Sequence, residues 1–365
     1  MSEPATHTAD AEDIKPPVTE VGVIGWIKTN LFNGWFNSLL TIVTLLFLWY
    51  IVPPLFRWAF WDAAWHTTSM GCREAAGACW SVVTNNLRFI LFGFYPYAEQ
   101  WRPLLAMLIL FGLLFYSRER RHWTKRLLYS WIVGLVLMGV LMRGGILGLE
   151  SVESTRWGGL PLTLLLSVFG LTAAYPLGVL LALGRQSQLR GIKVLCVVYI
   201  EAIRGVPLIS LLFMGSIIFP LFLPEGVTIN KILRAQVAII LFTAAYIAEV
   251  VRGGLQGMAR GQYEAAESMG LNYYLTMRLV ILPQALKIVI PPTVSILISA
   301  FKDTSLVVII ALWDLLKTTK SVLSNPEWMG FSREAYIFVA ILYFLGCFSM
   351  SQYSRRLERE LDREG

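Results

Sequence analysis

Two pairs of opposite charges lie within the apolar runs of this sequence. Glu201 precedes Arg204 and Glu249 precedes Arg252 by three positions each, so each pair shares one face of a helix. Arg204 lies about nine residues into its run, ~14 Å of helical rise, where an unpaired guanidinium would be costly. The spacing leaves two interpretations open: structural ion pairs that stabilise a helix bundle, or a polar lining or gate that contacts a zwitterionic ligand.

The sequence offers no catalytic or metal-binding pattern. It has no GxxxxGK[ST], HExxH or GxSxG motif, its four cysteines form no CxxC pair, and its three histidines are scattered. We therefore expect neither hydrolysis by this chain nor a bound metal. Cys72 and Cys79 fall in one predicted outer loop, where an oxidising compartment would permit a disulfide. Two unpaired small side chains are the alternative.

The composition identifies the elements that must position these charges. Of the 365 residues, 56% are hydrophobic and only 15% are charged, which excludes an ordinary soluble domain and predicts an all-α bundle of membrane-spanning helices. The net charge of +7 fits membrane topology better than nucleic acid, because the basic residues flank apolar runs. We predict eight spans, at approximately 37–56, 103–117, 127–147, 160–184, 195–223, 234–252, 279–301 and 334–353. The run from Leu306 to Leu316 could instead form a re-entrant segment.

Lysine and arginine predict the orientation of these spans. The link "SRERRHWTKR" from Ser117 is strongly basic and is therefore assigned to the cytoplasm. Strict alternation then places both termini, the link from Gly184 and the segment from Arg260 on the same side. The loops at 57–102, 148–159, 224–233 and 302–333 are predicted to face outward. Met1 to Glu20 is polar and is predicted to be disordered.

The segment "RGQYEAAESMGLNYYLTMRLVILPQA" from Arg260 is charged and must lie mostly in water. It predicts a short helix with Glu264 in the first turn and Gly270 at a left-handed stop, followed by a second helix from Asn272. Eight or so residues, about 12 Å of helix, are not stable alone and need a surface to pack on. That surface is either a groove of another protein, reached by Ala265 and Ala266 with Tyr263 and Met269 as anchors, or the chain's own bundle.

Prolines mark two of the predicted spans. Gly205 and Pro207 should loosen the span at 195–223, and Pro283, Pro291 and Pro292 should loosen the span at 279–301, because proline lacks an amide donor. Carbonyl groups freed in this way are tolerated at membrane depth only inside protein or beside a wet cavity. We therefore expect these two helices to line a polar path.

The segment from Glu264 resembles the EAA loop of ABC importer permeases. Glu264, Ala265 and Ala266 are followed after three residues by Gly270, and after nine more by Val280, Ile281, Leu282 and Pro283, with Val280 in place of the usual isoleucine. Stretches similar to polar amino acid permeases follow in order over about residues 155–353: "GGLPLTLLLSVFG" from Gly158, "EAIRGVPLISLLF" from Glu201, "AAYIAEVVRGGLQ" from Ala244, "LPQALKIVIPPTVS" from Leu282 and "FKDTSL" from Phe301. The additional N-terminal spans are similar to the enlarged M-type permease of general L-amino acid importers.

This resemblance implies a type I ABC importer permease in the bacterial inner membrane. The expected regions are a polar tail (1–30), an N-terminal extension of about three spans (31–155), a five-span permease core (156–353) and a charged tail (354–365). The resemblance further implies an amino acid binding protein in the periplasm, a second and distinct permease subunit, and a cytoplasmic ATPase dimer that binds ATP and Mg, with no cofactor in this chain.

In such a permease the EAA loop would contact the ATPase, through Tyr263, Glu264, Ala265, Ala266, Met269, Gly270 and Pro283. The candidates for the substrate path or gate are Glu201, Arg204, Pro207, Glu249, Pro291, Lys302 and Asp303. Lys302 and Asp303 are expected at the outer end of their span, where an interfacial charge pair is the alternative. The rival functions are an ion-coupled secondary amino acid transporter and an intramembrane enzyme.

Overall fold

A computed structural model describes residues 22–146 and 148–362. The chain divides into two compact units, residues 1–79 and 80–365. Within the described residues, seven helices are long and apolar enough to cross a membrane, or up to eight if one bent pair forms a single span. The prediction of an all-α, polytopic bundle is confirmed.

The first unit contains one long apolar helix. α1 is Gly22–Asn30, α2 is Trp35–Phe56, and α2 continues as a π-helical turn, Arg57–Trp61. Pro53 and Pro54 lie just before this turn and remove two amide donors from α2. α1 lies within the region predicted as a polar tail, residues 1–30. The disorder predicted for Met1 to Glu20 lies outside the described residues.

A disulfide closes the end of the first unit. Cys72, in α3 (Ser69–Glu74), is bonded to Cys79, and their Cα atoms are 5.4 Å apart. The amide of Ala64 donates to the carbonyl of Ala78 at 2.8 Å beside this bond. The question that the sequence left open is therefore answered by a disulfide and not by two free thiols.

The second unit begins with the remainder of the N-terminal extension. It comprises α4 (Ser81–Phe92), α5 (Trp101–Ser117) and α6 (Lys125–Arg143). α6 packs on α5. α4 and α5 also pack on α7 (Gly159–Arg185), the helix that follows α6. The fully buried Arg102 of α5 donates to the carbonyls of Leu141 at 2.8 Å and Glu150 at 2.9 Å, and it forms an ion pair with Glu99 at 3.3 Å. This arginine ties the outer ends of α5 and α6 together.

The centre of the second unit is the pair formed by α7 (Gly159–Arg185) and α10 (Lys231–Gln256). Small residues let the two backbones approach closely: Ala174, Gly178 and Ala182 on α7, and Ala244 and Ala248 on α10. A Cβ atom on Gly178 would lie 2.7 Å from the side chain of Ile247, so only glycine fits there.

The predicted span at 195–223 is not a straight crossing. α8 (Arg190–Arg204) ends at Gly205, and α9 (Leu208–Phe213) continues as a π-helical turn to Ile218 and a 3-10 turn to Phe222. The two parts are bent by 103°. The loosening predicted at Gly205 and Pro207 is therefore confirmed as a break, because Pro207 cannot donate to the preceding turn.

The predicted span at 279–301 is also shifted. After α11 (Arg260–Ser268) and α12 (Tyr273–Leu275), the chain forms a π-helical turn, Thr276–Ile281, then α13 (Leu282–Ile288) and α14 (Ile290–Asp303). The helix long enough to cross runs from Ile290 to Ile310. Pro283, Pro291 and Pro292 occupy the first turns of α13 and α14, where no amide donor is needed. They begin helices and do not kink the interior of one.

The chain ends with a short strand and two helices. β1, Trp313–Asp314, pairs with Gly158 and Gly159, and α15 (Leu315–Leu323) starts directly after it. The run from Leu306 to Leu316 is thus divided: its first residues end the span at Ile310, and Leu315 and Leu316 begin α15. α16 is Ser332–Asp362, so the tail predicted from 354 is helical as far as residue 362.

Contacts at the two ends of the second unit agree with the predicted alternation. At one end, Arg356 of α16 pairs with Glu119 of the basic link at 3.3 Å. At the other end, the loop before α7 contacts the loop before α10 through Ser154 and Asn230, and the hydroxyl of Thr318 donates to the carbonyl of Ile90 at 2.8 Å. Segments assigned to the same side of the membrane are therefore neighbours.

Candidate functional site: the cytoplasmic helix and the adjoining charge network

The short helix α11 has an inner and an outer face. Tyr263 packs against the buried cluster formed by α7, α10 and α13, and Ala266 is buried. Glu264 and Ala265 are exposed, and Met269, directly after the helix, is 80% exposed. Ala265 is exposed whereas Ala266 is buried, so the two alanines face different sides of α11.

The sequence interpretation of these residues therefore needs a correction. Tyr263 and Ala266 rest on the protein's own bundle, and Glu264, Ala265 and Met269 form the face that is open to a partner. Burial and the neighbouring Tyr273 raise the pKa of Tyr263, in keeping with its inward position. Of the two surfaces that the sequence offered as alternatives, the chain's own bundle is contacted by the inner side of α11, and the outer side is exposed.

Gly270 ends α11 in the left-handed conformation that the sequence predicted, with φ of 74°. The amide of Gly270 donates to the carbonyl of Glu267 at 2.8 Å, and the amide of Leu271 donates to the carbonyl of Ala266 at 3.2 Å. These two bonds are the Schellman arrangement that closes a helix at glycine. Asn272 then caps α12 by accepting from the amide of Leu275 at 3.0 Å, as predicted for the second helix.

A direct hydrogen bond connects α11 to the helix that leads into the membrane. The side-chain amide of Gln284 donates to the side-chain oxygen of Gln262 at 3.0 Å and to the carbonyl of Val280 at 2.9 Å. Pro283, beside Gln284, is exposed and starts α13. Displacement of α11 would therefore be transmitted to α13 through this bond and through the packing of Tyr263 and Ala266.

A charge network lies where α7, α8 and α10 meet. The carboxylate of Glu249 contacts Arg185 at 3.2 Å and Arg204 at 3.7 Å and is hydrogen-bonded by Arg252. Arg185 also pairs with Glu201 at 2.9 Å. Three arginines share two carboxylates, so the network carries one net positive charge. Glu249, whose side chain is 21% exposed, is its centre.

These contacts correct one predicted pair and confirm the other. Glu249 and Arg252 do pair within α10, whereas Glu201 and Arg204 each take a partner from another helix. The guanidinium of Arg204 also lies over the ring of Tyr246, 5.5 Å from its centroid, and its Nε is buried without a hydrogen-bond partner among the described residues. A guanidinium with free donors beside an excess of positive charge suits a carboxylate ligand.

The other predicted path residues lie outside this network. Pro207 marks the break between α8 and α9, and Pro291 is exposed in the first turn of α14. Lys302 and Asp303 are inside the Ile290–Ile310 span and not at its outer end, because seven further residues continue the helix as a 3-10 turn. Within residues 22–146 and 148–362 neither of these two residues forms an ion pair.

Sequence reasoning missed Arg185 and Tyr246. Arg185 belongs to the link from Gly184, which alternation of the spans assigns to the cytoplasmic side. A charged residue in the last turn of a span is also placed to meet charges on neighbouring helices. Tyr246 lies three positions before Glu249 on the same face of α10, a spacing that the sequence does show.

Residues 174–363 match the protein family described as binding-protein-dependent transport system inner membrane component. The chain belongs to this family. The matched range contains α11 and the whole charge network. It starts later than the predicted core boundary at 156 and extends past the one at 353. Members of the family are transport components and not enzymes, and this chain is a multi-pass protein of the inner membrane.

Two relatives extend over the N-terminal extension as well. The chain is 46% identical, over 92% of each chain, to the inner membrane amino-acid ABC transporter permease protein YhdY of Escherichia coli K12. It is 39% identical to the glutamate/glutamine/aspartate/asparagine transport system permease protein BztC of Rhodobacter capsulatus, over 95% of this chain and 96% of that one.

A solved structure has the fold of the permease part. It is the crystal structure of an amino acid ABC transporter with histidines, with 32% identity, a TM-score of 0.50, and coverage of 55% of this chain and 92% of that chain. The resemblance to enlarged ABC importer permeases that the sequence indicated is confirmed.

Proposed function

We propose that this chain is the permease subunit of an ATP-driven ABC importer that carries L-amino acids across the bacterial inner membrane. The observation that carries the proposal is α11: an exposed face of Glu264, Ala265 and Met269 on a helix that is closed by Gly270 and packed onto α13. The names of the two full-length relatives support amino acids as substrates. Family membership favours this function over an ion-coupled secondary transporter.

The exposed face of α11 docks on a cytoplasmic ATPase subunit in this proposal. That partner binds ATP and Mg, and this chain contributes no cofactor. Closure of the ATPase dimer moves α11, and the contacts of Tyr263, Ala266 and Gln262 carry the movement into α13 and α14. Tyr263 and Ala266 thus act from the inner face as positioning residues, while Glu264, Ala265 and Met269 contact the partner.

The charge network forms the polar lining of the path near its cytoplasmic end. Arg204, with its unpartnered Nε, is the residue proposed to meet the carboxylate of a passing amino acid, and Glu201 is the most exposed acid available to its ammonium group, with 55% of its side chain exposed. Glu249 holds the three arginines in position. Pro207 provides the break beside the network.

The remaining partners follow from the proposed assembly. A periplasmic binding protein delivers the amino acid, and a second permease subunit, a distinct homologous chain, completes the path. Pro291, Lys302 and Asp303 are retained as path or gate residues, at the positions that α14 gives them.

Reconstitution tests this proposal. The complex is purified through a tag on this chain, placed in proteoliposomes, and assayed for uptake of labelled L-glutamate and L-glutamine with the binding protein supplied. Uptake that requires hydrolysable ATP, and that is lost when the exposed face is altered by Glu264→Arg, is expected. The matched control is Glu225→Arg, a charge reversal on an exposed loop residue far along the chain from α11. Uptake driven by an ion gradient without ATP would overturn the proposal.

A further inference from the structure

A cavity of about 670 Å³ lies between the N-terminal extension and the permease core. α6 borders it on one side through Gly139 and Arg143, and α7 and α10 border it on the other through Leu165, Phe169 and Gln236. The loop before α7 closes its outer end. α6 packs on α5, and the cavity separates it from α7 and α10.

A second cavity adjoins the first and lengthens it along α6. The two share Gly139, Arg143 and Ser151, and the second extends along α6 to Val140 and Val136 and in the other direction to residues 144–146. Its axis therefore follows the apolar surface of a membrane-spanning helix. We name the joined space the α6 groove. An elongated apolar groove beside a helix that crosses the bilayer suits an acyl chain and not a small polar solute.

The outer end of the α6 groove carries both signs of charge. Arg143, the last residue of α6, and Glu153, in the following loop, both line it. Within the described parts of the chain, the guanidinium of Arg143 forms no hydrogen bond or ion pair. Among residues 22–146 and 148–362, the one donor to the carboxylate of Glu153 is the hydroxyl of Thr155, at 3.2 Å. One cation and one anion that do not pair with each other complement a group that bears a phosphate and an ammonium.

We infer that the α6 groove is a binding site for one phospholipid with a zwitterionic phosphoethanolamine headgroup. Arg143 binds the phosphate, Glu153 accepts from the ammonium, and an acyl chain lies along Gly139, Val136 and Val140. The lipid fills the separation between the extension and the core. This gives the extension a role as one wall of a lipid site, which does not depend on the proposed transport function.

The test uses the purified complex, stripped of loosely bound lipid, and native mass spectrometry. Dioleoyl phosphatidylethanolamine, phosphatidylglycerol and phosphatidylcholine are titrated separately. One phosphatidylethanolamine is expected to bind more tightly than either of the other lipids. Arg143→Gln is expected to weaken it about five-fold, the value of one cationic contact with a lipid headgroup. Arg156→Gln, on the same loop but outside the groove, is the control and should bind as the parent does.

A second pair of variants separates the site from general lipid contact. A Cβ atom on Gly139 would meet nothing within 4 Å, so Gly139→Phe fills the groove without displacing backbone and should abolish the tight lipid. Gly112→Phe, on α5, enters equally open space outside the groove and should leave it bound. Equal lipid binding by all variants, equal affinity for the three lipids, or displacement of the lipid by a free amino acid would each overturn the inference.

Discussion

The conformation of Gly270 leads to a prediction about how α11 is closed. Its φ of 74° lies in the left-handed region, and a Cβ atom there would meet nothing within 4 Å. Any penalty for a side chain is therefore conformational and not steric. Alanine is disfavoured in this region by about 1–2 kcal/mol, whereas asparagine adopts it more readily. We expect the parent to be most stable, Gly270→Asn to be close to it, and Gly270→Ala to be the least stable.

Hydrogen exchange measures this effect directly. The amides of Gly270 and Leu271 are the donors that close α11, so opening of the turn exposes both. A loss of about 1–2 kcal/mol corresponds to about five- to thirty-fold faster exchange in Gly270→Ala. Peptides that cover residues 260–275 report it by mass spectrometry. Gly253→Ala, in a helix with ordinary φ and equally open space, is the control and should exchange no faster than the parent.

The order of the variants decides whether the reasoning holds. If exchange follows side-chain volume, with Gly270→Asn faster than Gly270→Ala, the conformational explanation is refuted. Retention of the ATPase subunit during purification should follow the same order as exchange, because the exposed face of α11 is held at the correct angle by this turn. Normal retention by a Gly270→Ala variant with fast exchange would refute the proposed coupling role while leaving the helix argument intact.

Three further results are expected. Glu249→Gln should lower the unfolding free energy by about 3 kcal/mol in a thermal unfolding assay, because three partly buried arginines lose their shared anion. Glu201→Gln, at a more exposed position, should lower it by about 1 kcal/mol or less. Equal losses for the two variants would contradict the network. Burial raises the pKa of Asp314 to about 6 from the usual 3.8, so about 3 kcal/mol of stability should be lost as the pH rises from about 4 to about 6. Asp314→Asn should remove this pH dependence of the unfolding temperature. An unchanged pH profile in the variant would contradict the raised pKa of Asp314. Alkylation before reduction should leave Cys72 and Cys79 unmodified, and labelling of either thiol without reductant would contradict the disulfide. Reduction should lower the unfolding free energy by about 2.5 kcal/mol, because the bond closes a short loop in the unfolded chain.

The membrane class, the position of α11 and its closing glycine could be read from the sequence. Each depends on local chemistry. Apolar runs of bilayer length are stable only as spanning helices, the charges of the segment from Arg260 require water, and glycine is favoured where φ is positive. The spacing of Glu264, Gly270 and Pro283 adds a pattern specific enough to identify the family, which residues 174–363 confirm.

The interior of the bundle could not be read in this way. Spacing of three residues predicts a pair within one helix, and it succeeded for Glu249 and Arg252, which share α10. It failed for Glu201, because Arg185 from α7 approaches it more closely than its neighbour on α8 does. The spans at 195–223 and 279–301 were misplaced for a related reason: hydropathy records how apolar a segment is but not its direction, and a 103° bend leaves composition unchanged.

The sequence by itself thus determined what enters the membrane and where a helix must lie in water, and it predicts which side the basic links face. These follow from the transfer of side chains between water and lipid, which each residue carries with it. Only the tertiary structure decided which charges meet, which face of α11 is left open and where the α6 groove lies between helices. Those are set by packing between segments that are distant in the chain, where contact depends on the angle and rotation of whole helices.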